Sequence, residues 1–193
     1  MKISVSPGNI KLGAIPNISL PPGLSCQPGV PCVADCYAQK AVRLYKPARE
    51  AWQRNWQIYR DDPEDYFGQV SMWVSDHTPD FFRWHVAGDI PEQRYFSGMI
   101  NVAFEYSETR FLCFTKNYGV TNQVFVPKNL AVVHSAWPGY PAPPGDLPIA
   151  WMQDGTEKRV PGDALKCAGH CGYCGGTCWH LKELGKDVVF NKH

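Results

Sequence analysis

Seven of the eight cysteines fall in two short blocks, and thiols that dense are the residues here best suited to chemistry. The first block, Cys26, Cys32 and Cys36, has the spacing C-x5-C-x3-C. Three thiolates can hold three irons of a [4Fe-4S] cluster and leave the fourth open to a small molecule, whereas structural zinc normally takes four protein ligands. Loop cysteines without a metal, or a zinc knuckle completed by a distant residue, are the plainer alternatives. The second block, Cys167, Cys171, Cys174 and Cys178, has the spacing C-x3-C-x2-C-x3-C in a glycine-rich stretch. Four thiols within a dozen residues cannot all pair as disulfides without severe geometry, and glycine lets a loop wrap a metal through positive φ. Spacing this compact favours iron-sulfur over zinc ribbons, with zinc retained as the alternative. Whether the blocks hold one cluster or two is open from the sequence.

The remaining candidates are weaker. His170 and His180 flank the second block and read as outer partners or surface residues, because four cysteines already complete a site. Cys113, inside the apolar run RFLCFTKN, reads as core packing, and His85 beside Trp84 as an interior residue. His134 and Ser135 are minor candidates at a strand end.

The elements that must position these residues suggest an α/β fold. Pro and Gly dominate residues 6–32, with one short strand in GAIPNISL before the first cysteine. Helical spacing follows from Asp35 to Asp62, broken or kinked at Pro47. Asp62 before Pro63 reads as the N-cap of a further helix. Short apolar runs then alternate with a helical one: FFRWHVAGD, TRFLCFTKN, NLAVVHSAW, LPIAWMQDG and DVVFNKH as strands, and PEQRYFSGMINVAFEYS as a helix. Such runs predict buried parallel strands with crossover helices covering both sheet faces. Fewer than eight units are present, so the expectation is a small, incomplete (β/α) barrel or a curved, mainly parallel sheet. It is one domain over residues 1–193, with 161–193 a cysteine-rich, metal-binding C-terminal extension. Polar residues cluster where these strands end, at Gly88-Asp89, Thr115-Lys116-Asn117, His134-Ser135 and Gln153-Asp154. In α/β folds that edge gathers ligands.

Composition narrows the class further. The net charge is +1, from 19 basic and 18 acidic residues in no block, so nucleic acid is not supported as a partner. No run is apolar enough to cross a bilayer, and MKISVSPGNIKLGAIP lacks the features of a secretory signal. A cytoplasmic location follows as an expectation, where clustered thiols favour metal over disulfides.

At CVADCYAQKA, HVAGDI, FLCFTKN and CGYCGGTCW the chain resembles the phage protein family carrying the Gene product 88 domain, from about Lys11 to the last cysteines. That family is itself similar to radical S-adenosylmethionine enzymes. The resemblance implies a three-cysteine loop after the first strand that binds a [4Fe-4S] cluster, here Cys26, Cys32 and Cys36, in the host cytoplasm. It also implies a strand-end motif beside the methionine amino group, here Ala87-Gly88-Asp89. The implied activity is one-electron cleavage of S-adenosylmethionine, with the resulting radical abstracting hydrogen from a substrate. Two departures stand out: the usual first spacing is C-x3-C-x2-C, and Asp89 replaces the usual acid, with helix N-capping before Pro91 as its alternative role. Lys116 is a candidate to neutralise a carboxylate or an electron-rich cluster, with surface solvation as the alternative. The other readings are a non-catalytic redox-sensing or host-protein-binding module and a zinc-stabilised binding protein.

Overall fold

The computed structural model describes residues 1–121 and 124–191. Its strands are β1 (Val5–Ser6), β2 (Asn17–Ile18), β3 (Phe81–Trp84), β4 (Arg110–Thr115), β5 (Leu130–Ala136), β6 (Ile149–Gln153), β7 (Leu165–Lys166) and β8 (Val188–Asn191). Its helices are α1 (Tyr37–Leu44), α2 (Lys46–Asp61), α3 (Pro63–His77), α4 (Gln93–Glu105), α5 (Tyr118–Thr121) and α6 (Leu181–Leu184), with 3-10 turns at Pro31–Val33 and Thr177–His180.

All eight strands join one sheet in the order β1-β2-β3-β4-β5-β6-β8-β7. Every pairing is parallel except that of β1 with β2. The edges β1 and β7 do not meet, so the sheet is open and the α/β expectation holds without a closed barrel. The six strands foreseen in the sequence are present, while β1 and β7 are two-residue strands too short to leave an apolar pattern. The last foreseen run, DVVFNKH, ends in Lys192 and His193, which lie outside the described residues.

The helices form where capping and breaking residues dictate. The chain divides at Tyr45, with Pro47 in the first turn of α2, where a proline's missing N–H costs nothing. Asp62 caps α3 by accepting the Glu64 and Asp65 amides at 3.0 Å.

The long helices α2, α3 and α4 lie on one sheet face, and among the described residues the second face carries only the short α6 and the 3-10 turn before it. Strands β2 to β6 follow each other in sequence order, and right-handed crossovers between consecutive parallel neighbours deliver their helices to one side. Side chains alternate accordingly. Ile18, Phe82, Trp84, Phe111, Cys113, Leu130 and Val132 pack with α2, α3 and α4. Leu112, Ala131, Val133, Ala150 and Val188 face the other way and meet Trp179 and Leu181 from the C-terminal segment. The second face is therefore covered by the cysteine-rich block.

Candidate functional site

The first cysteine block leaves the carboxyl end of β2 and lies against the loop that leaves β3. Hydroxyls and backbone make the join. Ser19 Oγ accepts the Val86 and Ala87 amides at 3.1 and 3.3 Å, and the Leu20 amide donates to the Ala87 carbonyl at 3.0 Å. Ser25 Oγ donates to the Pro21 carbonyl at 3.0 Å and accepts the Asp89 amide at 3.3 Å. Gly88 makes this approach possible. Its φ is +83°, and a β-carbon there would stand 2.4 Å from Ser25 Oγ and 2.8 Å from the Leu20 carbonyl oxygen. Only glycine fits both demands.

Asp89 is 4% exposed and its carboxylate is already engaged. One oxygen accepts the Ile90 amide at 2.7 Å and the other the Lys116 amide at 2.9 Å. Burial pushes its pKa up, opposed by the Lys116 charge and these hydrogen bonds. The N-capping alternative does not hold, because the N-cap of α4 is Glu92. Asp89 instead ties the ends of β3 and β4 together. Asn117 reinforces the tie by donating to the Ile90 carbonyl at 3.0 Å.

Cys26 and Cys32 lie within electrostatic reach of these strand ends. Desolvation pushes Cys26 up to about 11 against the Gly23 amide, which donates to its sulfur at 3.5 Å, while Asp89, Cys32 and Cys36 push the same way. Cys32 is also raised by burial, and the Lys116 ammonium is the main opposing influence. The Lys116 ammonium thus lies within electrostatic reach of Cys32, and 5.5 Å from the centre of the Trp137 ring. Tyr37, directly after Cys36, donates its hydroxyl to the Val86 carbonyl and closes the loop.

The second block follows β7 directly, with the Cys167 amide donating to the Val189 carbonyl at 2.9 Å. The Cys171 amide donates to Lys11 at 2.8 Å, which joins the block to the N-terminal segment. Gly176, at φ +76°, starts the 3-10 turn that delivers Cys178 and Trp179 to the sheet. Cys171 and Cys178 pack into the second-face cluster. Burial pushes Cys178 up to about 12, with Cys167, Cys171 and Cys174 adding repulsion. The two blocks occupy different places, one at the carboxyl edge and one over a face.

The remaining residues find structural roles. Cys113 is fully buried on the helix side, where burial raises its thiol strongly. His170 stacks on Tyr173 with centroids 4.4 Å apart and accepts the Gly172 amide, and His180 pairs with Glu183 at 3.0 Å. His85 is buried, bonds Tyr95 at 3.0 Å and turns the chain off β3 at φ +58°. His134 and Ser135 lie in the last three residues of β5, and His134 bonds Thr121 at 2.8 Å. Two surface clefts lie away from the thiols, one between α3 and α4 around Phe67 and Gly98, the other around Pro148 and Lys186.

Among the described residues, no three His, Cys, Asp or Glu side chains stand in a ready-made ligand cage. The donor sets nevertheless suit metal–thiolate chemistry: each block gathers its own thiols closely enough for mutual repulsion, on loops that glycine can reshape. Cys26, Cys32 and Cys36 are the residues that would hold an open group, and Cys167, Cys171, Cys174 and Cys178 a closed one.

Two residues with a buried side-chain nitrogen that has no hydrogen-bond partner were not singled out in the sequence. Arg83 is one, and an arginine between aromatic residues in an apolar strand was a usable signal. Asn17, its partner in register on β2, carried none.

No curated protein and no solved structure gives a significant match to the chain. Among the described residues no helix is long and apolar enough to cross a membrane. The pattern that defines the Gene product 88 family matches residues 3–140, which include the first cysteine block, Gly88, Asp89 and Lys116 but not the second block. Since that match spans well over half of the chain, the protein belongs to the Gene product 88 family.

Proposed function

We propose that the chain is a cytoplasmic iron-sulfur protein of radical S-adenosylmethionine type, with an open three-thiol site at the sheet's carboxyl edge and a closed four-thiol site over its second face. The observation that carries the reading is the convergence of three strand ends: the loop of Cys26 and Cys32 is bonded to the chain at Asp89 through Ser25, and Asp89 is bonded to the Lys116 amide. A cluster bound there would supply one electron for cleavage of the cofactor's sulfonium.

The chain's own residues divide the remaining work. Lys116 offers an ammonium to a ligand carboxylate beside the thiols. Asp89, already bonded to two amides, holds the β3 and β4 ends in register with the loop and so positions that ammonium. Gly88 lets the loop seat closely enough for both. The test is calorimetric titration of the anaerobically reconstituted protein with S-adenosylmethionine, followed by assay for 5'-deoxyadenosine under reduction. Binding that weakens in Lys116→Met supports the reading, while no binding and no product removes it.

A second reading is a non-catalytic redox-sensing or host-interaction module, favoured by the engagement of both Asp89 oxygens. Stable iron and sulfide with no cofactor binding would establish it. Zinc without iron in freshly purified protein would place the chain with zinc-stabilised binding proteins.

A further inference from the structure

On the second face, two hydrogen-bond donors are buried with nothing to donate to. Asn17 and Arg83 are register partners on the parallel neighbours β2 and β3, so their side chains leave the same face side by side. Asn17 is 4% exposed, and both its Nδ2 and the Nε of Arg83 are buried without an acceptor. Arg83 forms no ion pair with an Asp or Glu among the described residues. Its guanidinium lies 4.9 Å from the centre of the Phe114 ring, and Phe114 belongs to the apolar cluster that takes in Cys171 and Cys178. An unmade buried donor is costly, more so when charged, and native folds rarely keep two together. An acceptor supplied from outside the chain accounts for the pair. What stands over this face is the four-cysteine block, whose thiolates and any bound sulfide would be anionic acceptors in a setting of low polarity.

We propose that Arg83 and Asn17 donate hydrogen bonds to the sulfur atoms of a metal–thiolate group held by Cys167, Cys171, Cys174 and Cys178, and offset its negative charge. This rests on the reading that those cysteines bind metal. Both are positioning residues, since they act on the ligands and not on a substrate. The pairing makes opposite demands on the two states of the protein: without metal the donors are a burden, and with metal they are satisfied.

The experiment compares full-length wild type with Arg83→Met, Arg83→Lys and Asn17→Leu, each measured metal-free and after anaerobic reconstitution. The expected result has crossed signs. The metal-free Arg83→Met protein melts at or above the wild-type temperature. In its loaded form the metal is released to a chelator about 10- to 100-fold more readily, the range for loss of an outer hydrogen-bonding partner. With iron bound, its midpoint potential also moves more negative, because a positive charge beside the reduced group is gone. Arg83→Lys keeps the charge and recovers part of both effects, and Asn17→Leu gives a smaller shift in the same direction. Unchanged retention and potential in Arg83→Met, with metal present at the second block, overturn this inference alone. Metal content that does not fall in Cys178→Ala relative to wild type overturns the four-cysteine site and this inference with it.

Discussion

The two thiol blocks are attached to the same sheet by different means. The N-terminal block is held by main-chain and hydroxyl hydrogen bonds at one edge, through Ser19, Leu20, Ser25 and the backbone from Val86 to Asp89. The C-terminal block is bonded through the main chain at Cys167 and Cys171, but over the face it is held chiefly by side-chain packing, through Trp179 and Leu181. Directional bonds fix a loop to within a fraction of an ångström, which is what a site that orients a ligand requires. Apolar packing is less directional and fixes a cover. The edge block is thus fixed by directional bonds within the fold itself, whereas the facial block is fixed mainly by what its apolar side chains pack against.

The contrast is broken most severely at the cover. Trp179 is 3% exposed, meets Phe81 edge-on at 5.3 Å and donates its indole N–H to the Phe82 carbonyl at 3.2 Å. Trp179→Ala should cost about 3–5 kcal/mol of unfolding free energy in urea titration. A loss below about 1 kcal/mol would mean that the C-terminal segment is an appendage and not the second layer.

At the edge the corresponding change is Gly88→Ala. A side chain in the left-handed region costs about 1–2 kcal/mol, and forcing atoms into a filled space about 1–3 kcal/mol more. Stability should therefore fall by about 2–5 kcal/mol, and alkylation of Cys26 should speed up as the loop lifts from the β3 end. Equal protection of Cys26 in variant and wild type would show that the Gly88 contact does not seat the loop.

How far the sequence disclosed this arrangement follows the range of each signal. Period-two apolar runs and local capping are written in neighbouring residues, so β3 to β6, α3 and α4 were legible, and so was the Asp62 cap. The placement of the long helices on one face was not, because it depends on strand order, a relation between distant segments. The cysteine blocks were legible as candidate ligands but not as edge and cover. The role of Asp89 was half legible: its position at a strand end was clear, but its acceptance of the Lys116 amide joins residues 27 apart in sequence. Asn17 was invisible, since one asparagine in a proline-rich stretch looks like a turn residue.

That Asp89 bond supplies the next test. In Asp89→Asn one oxygen becomes an amide nitrogen facing a backbone donor, so one charge-assisted bond is lost and a donor is left unpaired. The expected cost is about 1.5–3 kcal/mol. If Asp89 acts only through the fold, Asp89→Asn should weaken cofactor binding no more than it loosens the loop, as reported by Cys26 alkylation. Binding lost in a variant of wild-type stability would instead place its carboxylate on the ligand.

The smallest effect is one of pH, at the residue that starts the β3 loop. Burial holds His85 down to about 3, with the Arg83 charge acting in the same direction, so the folded ring stays neutral while an unfolded one titrates near 6.5. Between these values the unfolded chain binds the extra proton, and stability falls as pH falls. Above about pH 7 the contribution is fully present. Lowering pH from 7 to 5.5 should remove about 1 kcal/mol through this residue. His134, lowered to about 4 by burial, adds a loss of the same sign, and Asp89, raised by burial, one of opposite sign at lower pH. Comparing wild type with His85→Asn cancels both, because asparagine tolerates the left-handed backbone at position 85 but does not titrate. The variant should be less stable at pH 7, having lost the Tyr95 bond, yet lose about 1 kcal/mol less between pH 7 and 5.5. Parallel stability curves over that interval would mean that the His85 ring takes up its proton within the fold, and that the edge loop opens to water more readily than its hydrogen bonds imply.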